Sequence, residues 1–479
     1  METFLLVIYS LVVIGMCIRI IMYSQTPSSA LAYLLLVITF PVFGIIFYLS
    51  VGFNYRKRKI YQKKIDIDDH SFPELEEKIR QNSLKTLLEV KDELGRYYSL
   101  AKFLKNKSFI SYNNKVDVFI NGEEKFPQLI KDLLAAKHHI HIEYYIFEND
   151  VIGNQIAEIL IQKAQEGVEI RVIYDDFGSQ SIRKKFTDQL NQAGVETSAF
   201  YKVFFILLAN RLNYRNHRKI IVIDGTIGYI GGINIGDNYI NSEKNQLYWR
   251  DTHIKIEGLS VINLQYTFLS DWNFCSGQNI GFSLELFPIK EYNHHFGEQL
   301  VQIIPSGPDS DYPSTMYSLI QIILMAKREL QICTPYFIPD KSFLDAVKIA
   351  ALSGVNIQLL VPGISDSKFV NIISQSHYEE MLEVGVRIFR YNKGFIHAKT
   401  LICDEFISVV GSANLDNRSF ELNFEINAMV YDKVLAEKLK IQFTKDLESS
   451  TEINKIEWIN RPLYKKAIEK VLHLFSPLV

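Results

Sequence analysis

The chain has 479 residues, of which 48% are hydrophobic and 22% charged, and a formal net charge of −2 at neutral pH. This length exceeds one ordinary core and implies two or more domains. The near-neutral balance argues against a general nucleic-acid binder, which carries a basic excess. Four cysteines, Cys17, Cys275, Cys333 and Cys403, are too scattered for a disulfide framework or paired zinc ligands, so a reducing, metal-free setting is the simplest reading.

Residues 4–23 are apolar except for Ser10 and Arg19, and residues 30–53 except for Thr39, Pro41 and Ser50. Each run is long enough to cross roughly 30 Å of hydrocarbon, so a two-span hairpin is expected over residues 1–60. A cleaved signal peptide fits poorly, because no basic segment precedes the first run and no small-residue cleavage site follows it. The link 24–29 is uncharged, whereas Arg56, Lys57, Arg58, Lys59, Lys63 and Lys64 follow the second run. The positive-inside rule then puts both termini and the body on the cytoplasmic side. The same basic cluster can attract anionic headgroups as well as set topology.

Residues 61–113 carry Leu75, Ile79, Leu84, Leu87 and Leu88 at helical spacings and read as a helical connector. From Val116 the pattern alternates: strand 116–120, helix 126–137, strand 139–147, helix 154–166, then strand 168–174 ending in Asp175-Asp176. Such alternation implies an α/β layer architecture. His138, His139 and His141 suggest a metal cluster, but strand alternation puts only His139 and His141 on one face and no companion ligands appear. They read as structural histidines.

The same order returns later. Ala136-Lys137 corresponds to Ala326-Lys327 (326 − 136 = 190), and Gly167-Val168 to Gly354-Val355 (354 − 167 = 187). This is a duplication of one large unit. The turn-rich Ser306-Gly307-Pro308-Asp309-Ser310 divides the body into units 114–305 and 306–479. Residues 202–212 contain an unbroken apolar run, read either as a buried element or as a flap against a lipid surface. Residues 464–478 pair Leu472, Leu474 and Phe475 with Lys465, Lys466 and Lys470, an amphipathic helix for which core packing is favoured over membrane contact.

Chemistry concentrates in one motif written twice. His217, Lys219, Asp224 and Asn234 recur as His397, Lys399, Asp404 and Asn414, all at one offset (397 − 217 = 180). Residues two apart on a strand share a face, so each His and Lys point one way. Each Asp falls on the other parity at a hairpin turn, where Asp224-Gly225 favours a two-residue loop. Pairing Ile223 with Thr226 would put Gly232 opposite His217, and in the second copy Ser412 opposite His397. Each hairpin thus gathers an imidazole, an ammonium group and a carboxamide at one end. Two imidazoles suit in-line phosphoryl transfer, one attacking phosphorus and the other protonating the leaving oxygen. Lys219, Lys399, Asn234, Asn414 and Ser412 would hold the non-bridging oxygens. The acids placed to orient the imidazoles are Asp251 and Glu425, in matching segments downstream, one behind each histidine, from its own unit or the opposite one.

These residues resemble the phospholipase D superfamily, and the longer wording resembles its bacterial cardiolipin synthase branch. That wording includes Asn216-His217-Arg218-Lys219, Gly231-Gly232-Ile233-Asn234, Thr334-Pro335-Tyr336-Phe337 and Gly411-Ser412-Ala413-Asn414. The resemblance implies two tandem α/β units, each a mixed β-sheet flanked by helices, in a pseudo-two-fold bilobal body preceded by two transmembrane helices. It implies catalytic roles for His217, Lys219, Asp224, His397, Lys399 and Asp404. It also implies that two phosphatidylglycerol molecules in an anionic membrane give cardiolipin and glycerol, with no nucleotide, cofactor or metal. Which histidine is the nucleophile stays open, with His217 preferred. A phospholipase D hydrolase, a phosphatidylserine synthase, a nuclease and an inactive membrane scaffold are the competing readings.

Overall fold

The computed structural model describes residues 2–24, 27–51, 64, 73–103, 108–200, 214–242, 247–288, 294–474 and 476. The apolar run at 202–212 and the basic residues 56–59 and 63 lie outside them. Lys64 lies inside the body, with its ammonium 3.0 Å from Asp309 and 3.4 Å from Asp271. It is therefore withdrawn from any role at lipid headgroups.

Helix α1 (Glu2–Tyr23) contains a stretch, Leu6–Tyr23, that is long and apolar enough to cross a membrane. The second apolar run does not make a second spanning helix. Pro41 has no N–H to donate and its ring crowds the preceding turn, so the run breaks into α2 (Pro27–Thr39) and α3 (Pro41–Val51). A Cβ on Gly44 would stand 2.6 Å from the Leu36 carbonyl oxygen, so only glycine lets α3 turn back this closely on α2. At 13 and 11 residues, about 20 and 17 Å at 1.5 Å per residue, neither piece spans alone. In place of the expected pair of spans there is thus one helix long and apolar enough to span, followed by a broken helical hairpin.

The first half of the body contains β1 (Ile110–Ile120), β2 (His139–Tyr144), β3 (Glu169–Asp175), β4 (Glu196–Phe200), β5 (Lys219–Ile223), β6 (Ile227–Gly231), β7 (Trp249–Arg250) and β8 (Thr252–Gly258). The second contains β9 (Gln299–Ser306), β10 (Glu329–Cys333), β11 (Phe337–Ile338), β12 (Asn356–Pro362), β13 (Arg387–Tyr391), β14 (Phe395–Ile396), β15 (Thr400–Cys403), β16 (Ile407–Gly411), β17 (Leu415–Asp416), β18 (Glu425–Tyr431) and β19 (Ser450–Glu452). One plan is used twice. Parallel β2, β3 and β4 lie beside the antiparallel hairpin β5–β6, as parallel β10, β12 and β13 lie beside β15–β16. The helices Asn121–Ala135 and Val151–Gln165 pack against Ile140 and Ile142, while Val261–Ser276 brings Phe268 and Trp272 against Ile173. Pairing of β1 with β9 joins the two mixed sheets into one of fifteen strands among the described residues. The connector delivers Leu87, Leu94, Tyr97 and Leu100 to the core that holds Leu330 and Ile332, so it is packed into the second half.

Both hairpins have a tight turn, with Asp224 and Gly225 at φ 50° and 67°, and Asp404 and Glu405 at φ 50° and 58°. One extra residue, Thr226 or Phe406, follows the turn, so Ile223 pairs with Ile227 and Cys403 with Ile407. The register is shifted by one from the expected pairing, and Lys219, by extension of the ladder, stands opposite Gly231. Aspartate enters this left-handed conformation more readily than most residues, and here its carboxylate is held by a loop distant in sequence. Asp224 accepts from the backbone N–H groups of Lys137, His138 and His139 at 2.7–3.0 Å. Asp404 accepts likewise from Lys327, Arg328 and Glu329 at 2.8–3.0 Å. Each carboxylate lies seven residues beyond its histidine, at the far end of β5 or β15, about 23 Å along extended chain at 3.3 Å per residue. The catalytic role implied for Asp224 and Asp404 is therefore corrected: they clamp the loop entering β2 or β10. Asp404→Ala is expected to lower stability by roughly 2–4 kcal/mol, and Asp224→Ala by less, because Asp224 is the less buried of the two. Thermal denaturation would show the loss, while the folded fraction of each variant retains turnover.

Candidate active site

Strand parity sorts the residues around His217. Asn216 and Arg218 face into the protein: Asn216 donates its N–H to Asp175 at 3.1 Å and its carboxamide N–H to Glu143 at 2.6 Å, and Arg218 pairs with Asp271. His217 and Lys219 take the opposite side. Both are buried, and the Lys219 ammonium donates to the His217 carbonyl at 2.9 Å. In the second copy Lys399 donates to the His397 carbonyl at 2.5 Å.

Each histidine is tied to an acid from the other half. Nδ1 of His217 stands 3.0 Å from both carboxylate oxygens of Glu425, and Nδ1 of His397 stands 2.7 Å from Oδ2 of Asp251. Backbone bonds make this crossing rigid. His217 N–H donates to the Phe424 carbonyl at 2.9 Å and Phe424 N–H to the Arg215 carbonyl at 2.8 Å. On the other side β14 pairs with β7, and His397 N–H donates to the Arg250 carbonyl at 2.7 Å. Arg250 is fixed in turn by Asp446 at 2.9 and 3.0 Å. Each acid thus sits one residue from a backbone pairing with the other half's histidine segment.

Burial, together with Lys219 and Lys399, pushes the His217 imidazole below its ordinary range against the opposing pull of Glu425. Burial and Lys399 push His397 down to about 4. For Asp251, burial favours the neutral acid but is outweighed by His397 and Lys399, which hold it below the usual range. His217 and Lys219 do the same for Glu425. Both pairs are therefore a neutral imidazole donating Nδ1–H to a carboxylate, which leaves the Nε2 lone pair for the reaction. Burial also drives the ammonium groups toward losing a proton, Lys219 to about 7 and Lys399 to about 8. Because Lys399 acts on His217 and Lys219 on His397, the two motifs share one electrostatic site.

Two of the expected phosphate ligands are turned elsewhere. The Ser412 hydroxyl donates to Glu425 at 2.5 Å and accepts from the Ile426 N–H at 3.0 Å, so it steadies the acid behind His217. The Asn234 carboxamide accepts from the Ile146 N–H at 3.3 Å and donates to the Tyr239 hydroxyl. Asn414 instead leaves Oδ1 buried without a partner, and its carboxamide is the freer of the two.

Aromatic rings wall the imidazoles. Tyr145 meets His217 edge-on at 4.9 Å between centroids, while Trp249, Phe395 and Tyr239 lie 5.5, 5.6 and 6.2 Å from His397. The sequence reading did not single out Tyr145, Tyr239 or Phe395. Their signal was position alone: just after β2, five residues after Asn234, and two before His397. His139 and His141 are buried with rings 4.8 Å apart, and His141 contacts Gln265 and Arg171, as packed structural groups.

A family profile described as "Cardiolipin synthase, PLD-like domain" matches residues 129–255 and 319–447, and one described as "Phospholipase_D-nuclease N-terminal" matches residues 6–52. The chain is 41% identical to a cardiolipin synthase of Alkalihalophilus pseudofirmus over 473 residues, covering 99% of this chain and 93% of that protein. It is 38% identical to a cardiolipin synthase of Staphylococcus aureus over 465 residues, covering 96% and 93%. A phosphatidylserine synthase from Haemophilus influenzae superposes with a TM-score of 0.59 at 16% identity, covering 80% of this chain and all of that one, which is a likeness of fold. With both halves matched and near full-length relatives, the chain belongs to the phospholipase D superfamily, in the cardiolipin synthase family.

Proposed function

We propose that this protein is a cardiolipin synthase that moves a phosphatidyl group from one phosphatidylglycerol to the terminal hydroxyl of another. The supporting observation is the pair of crossed His–acid contacts, which presents two Nε2 lone pairs to one lysine-flanked site. His217 is taken as the nucleophile, because its ring is braced by both oxygens of Glu425, which Ser412 and Asn423 steady in turn. Its Nε2 forms a bond to phosphorus as the bond from phosphorus to the glycerol oxygen breaks. The bound phosphodiester anion raises the proton affinity of His397, which takes up a proton from solvent, and the leaving glycerol oxygen takes that proton from it. A hydroxyl of the second phosphatidylglycerol then gives its proton back to His397 and displaces His217. Lys219, Lys399 and Asn414 hold the non-bridging oxygens, and the proposed phosphate ligands are reduced to these three.

The span α1 supports a membrane location, and the basic residues after the second apolar run support a body on the cytoplasmic side. The test is to give purified protein phosphatidylglycerol in vesicles without nucleotide. Cardiolipin and glycerol should appear in equal amounts, and phosphatidic acid as the sole product would overturn the reading.

The pH response has two opposite signs. Activity should fall as pH rises through 7 to 8, where Lys219 and Lys399 lose their charge. Stability from these two groups should rise over the same range and up to the ordinary lysine value of 10.5, because there the unfolded chain holds more protons than the folded one. Initial rates and thermal midpoints measured together from pH 6 to about 9 would check both signs.

A further inference from the structure

The helix Leu463–His473 is seated with its polar side against the protein. At 3.6 residues per turn, Leu463, Tyr464, Ile468, Val471 and Leu474 share one arc, and these five are exposed by 84, 62, 49, 58 and 75%. The opposite arc makes the contacts: Glu469 is buried and accepts from Arg461 at 2.8 Å, Lys466 donates to Glu379 at 3.1 Å, and the His473 ring lies 4.8 Å from that of His377. The expected core packing of this helix is therefore inverted. A soluble surface normally shows the reverse arrangement, and a contiguous exposed apolar face marks an interaction site.

The helix lies close to the reaction site. It packs on the helix Lys368–Gln375, where Ser376 meets His473 at 3.1 Å. Just before that helix, Asp366 accepts from Tyr336 at 2.6 Å, and Asn417, three residues after Asn414, donates to the Ser476 carbonyl at 3.3 Å. Ile364 and Phe369, just before and within the helix Lys368–Gln375, are exposed as well. Exposed Lys465 and Lys470 border the apolar arc on its two sides, where long side chains reach past an inserted face to phosphate groups.

We propose that the apolar face of this helix lies in the interfacial layer of an anionic bilayer, with Lys465 and Lys470 on its headgroups, as a second attachment that seats the site against the lipid. Two features select a bilayer as the occupant. The same chain carries a spanning helix, and a second copy would bring Lys465 and Lys470 toward their like-charged counterparts.

The inference extends the lipid-transfer reading, and its first test requires no turnover. Full-length Ile468→Trp protein is placed in phosphatidylcholine vesicles containing phosphatidylserine, with acyl chains brominated near the headgroup. Quenching should exceed that of the unsubstituted protein, whose three tryptophans set the background. No added quenching would overturn the proposal, as would a self-association that disappears in Ile468→Glu/Val471→Glu. The second test uses that double variant on two substrates. Turnover of phosphatidylglycerol in vesicles should fall about tenfold, while that of dispersed short-chain phosphatidylglycerol is unchanged. An equal fall on both would mean a structural role and contradict docking. If the protein transfers no lipid at all, the quenching result still decides the docking.

Discussion

Alanine at His217 should abolish phosphatidyl transfer, lowering the rate by about 10⁴-fold or more, because it removes the group assigned to form the covalent bond to phosphorus. Alanine at His397 should cost about 10²- to 10⁴-fold with phosphatidylglycerol, the range of a lost general acid. The two losses separate on a donor whose leaving group is nitrophenolate, which departs without a proton. On that donor His397→Ala should release nitrophenol nearly as fast as the unsubstituted protein, and His217→Ala should release none. Stopped-flow absorbance follows the release directly. Release by His217→Ala but not by His397→Ala would mean that the roles are reversed, and equal release by both that they are shared.

The second large effect concerns the acids. Glu425→Gln and Asp251→Asn preserve shape but replace a carboxylate with an amide, which accepts the Nδ1–H more weakly and can present its own N–H to the ring. The imidazole then loses the tautomer that exposes its Nε2 lone pair, and a fall of about 10²- to 10⁴-fold is expected. The crossing makes the outcome specific. Glu425 belongs to the second half yet serves His217 in the first, so Glu425→Gln should suppress nitrophenol release, whereas Asp251→Asn should spare it. Combining Glu425→Gln with His217→Ala should be no worse than His217→Ala alone, since the acid acts only through the ring. An additive loss would mean that Glu425 contributes to folding or binding independently.

The duplicated motif, the α/β alternation and the identity of both acids were readable because each depends on local spacing and on matching positions in two copies. Four features depend on tertiary packing and were not. The break at Pro41 follows from local chemistry, but the return of α3 against α2 rests on the space at Gly44. The register of each hairpin turns on a single extra residue, Thr226 or Phe406, which the turn residues themselves do not reveal. Ser412 and Asn234 have the right side chains for phosphate, yet Glu425 and Tyr239 engage them first. The C-terminal helix was readable as amphipathic, but which face meets the protein depends on Glu379 and His377 from a distant segment, and on Arg461 just before the helix.

The most direct measurement of the central claim, one reaction site assembled from both halves with a histidine carrying the phosphatidyl group, is to trap that intermediate. Protein mixed briefly with phosphorus-labelled phosphatidylglycerol and denatured in base should retain a base-stable, acid-labile label on the peptide containing His217. The label should be absent in His217→Ala and should pass to cardiolipin when more phosphatidylglycerol is added before denaturation. Label on neither histidine, or shared equally between His217 and His397, would contradict the account.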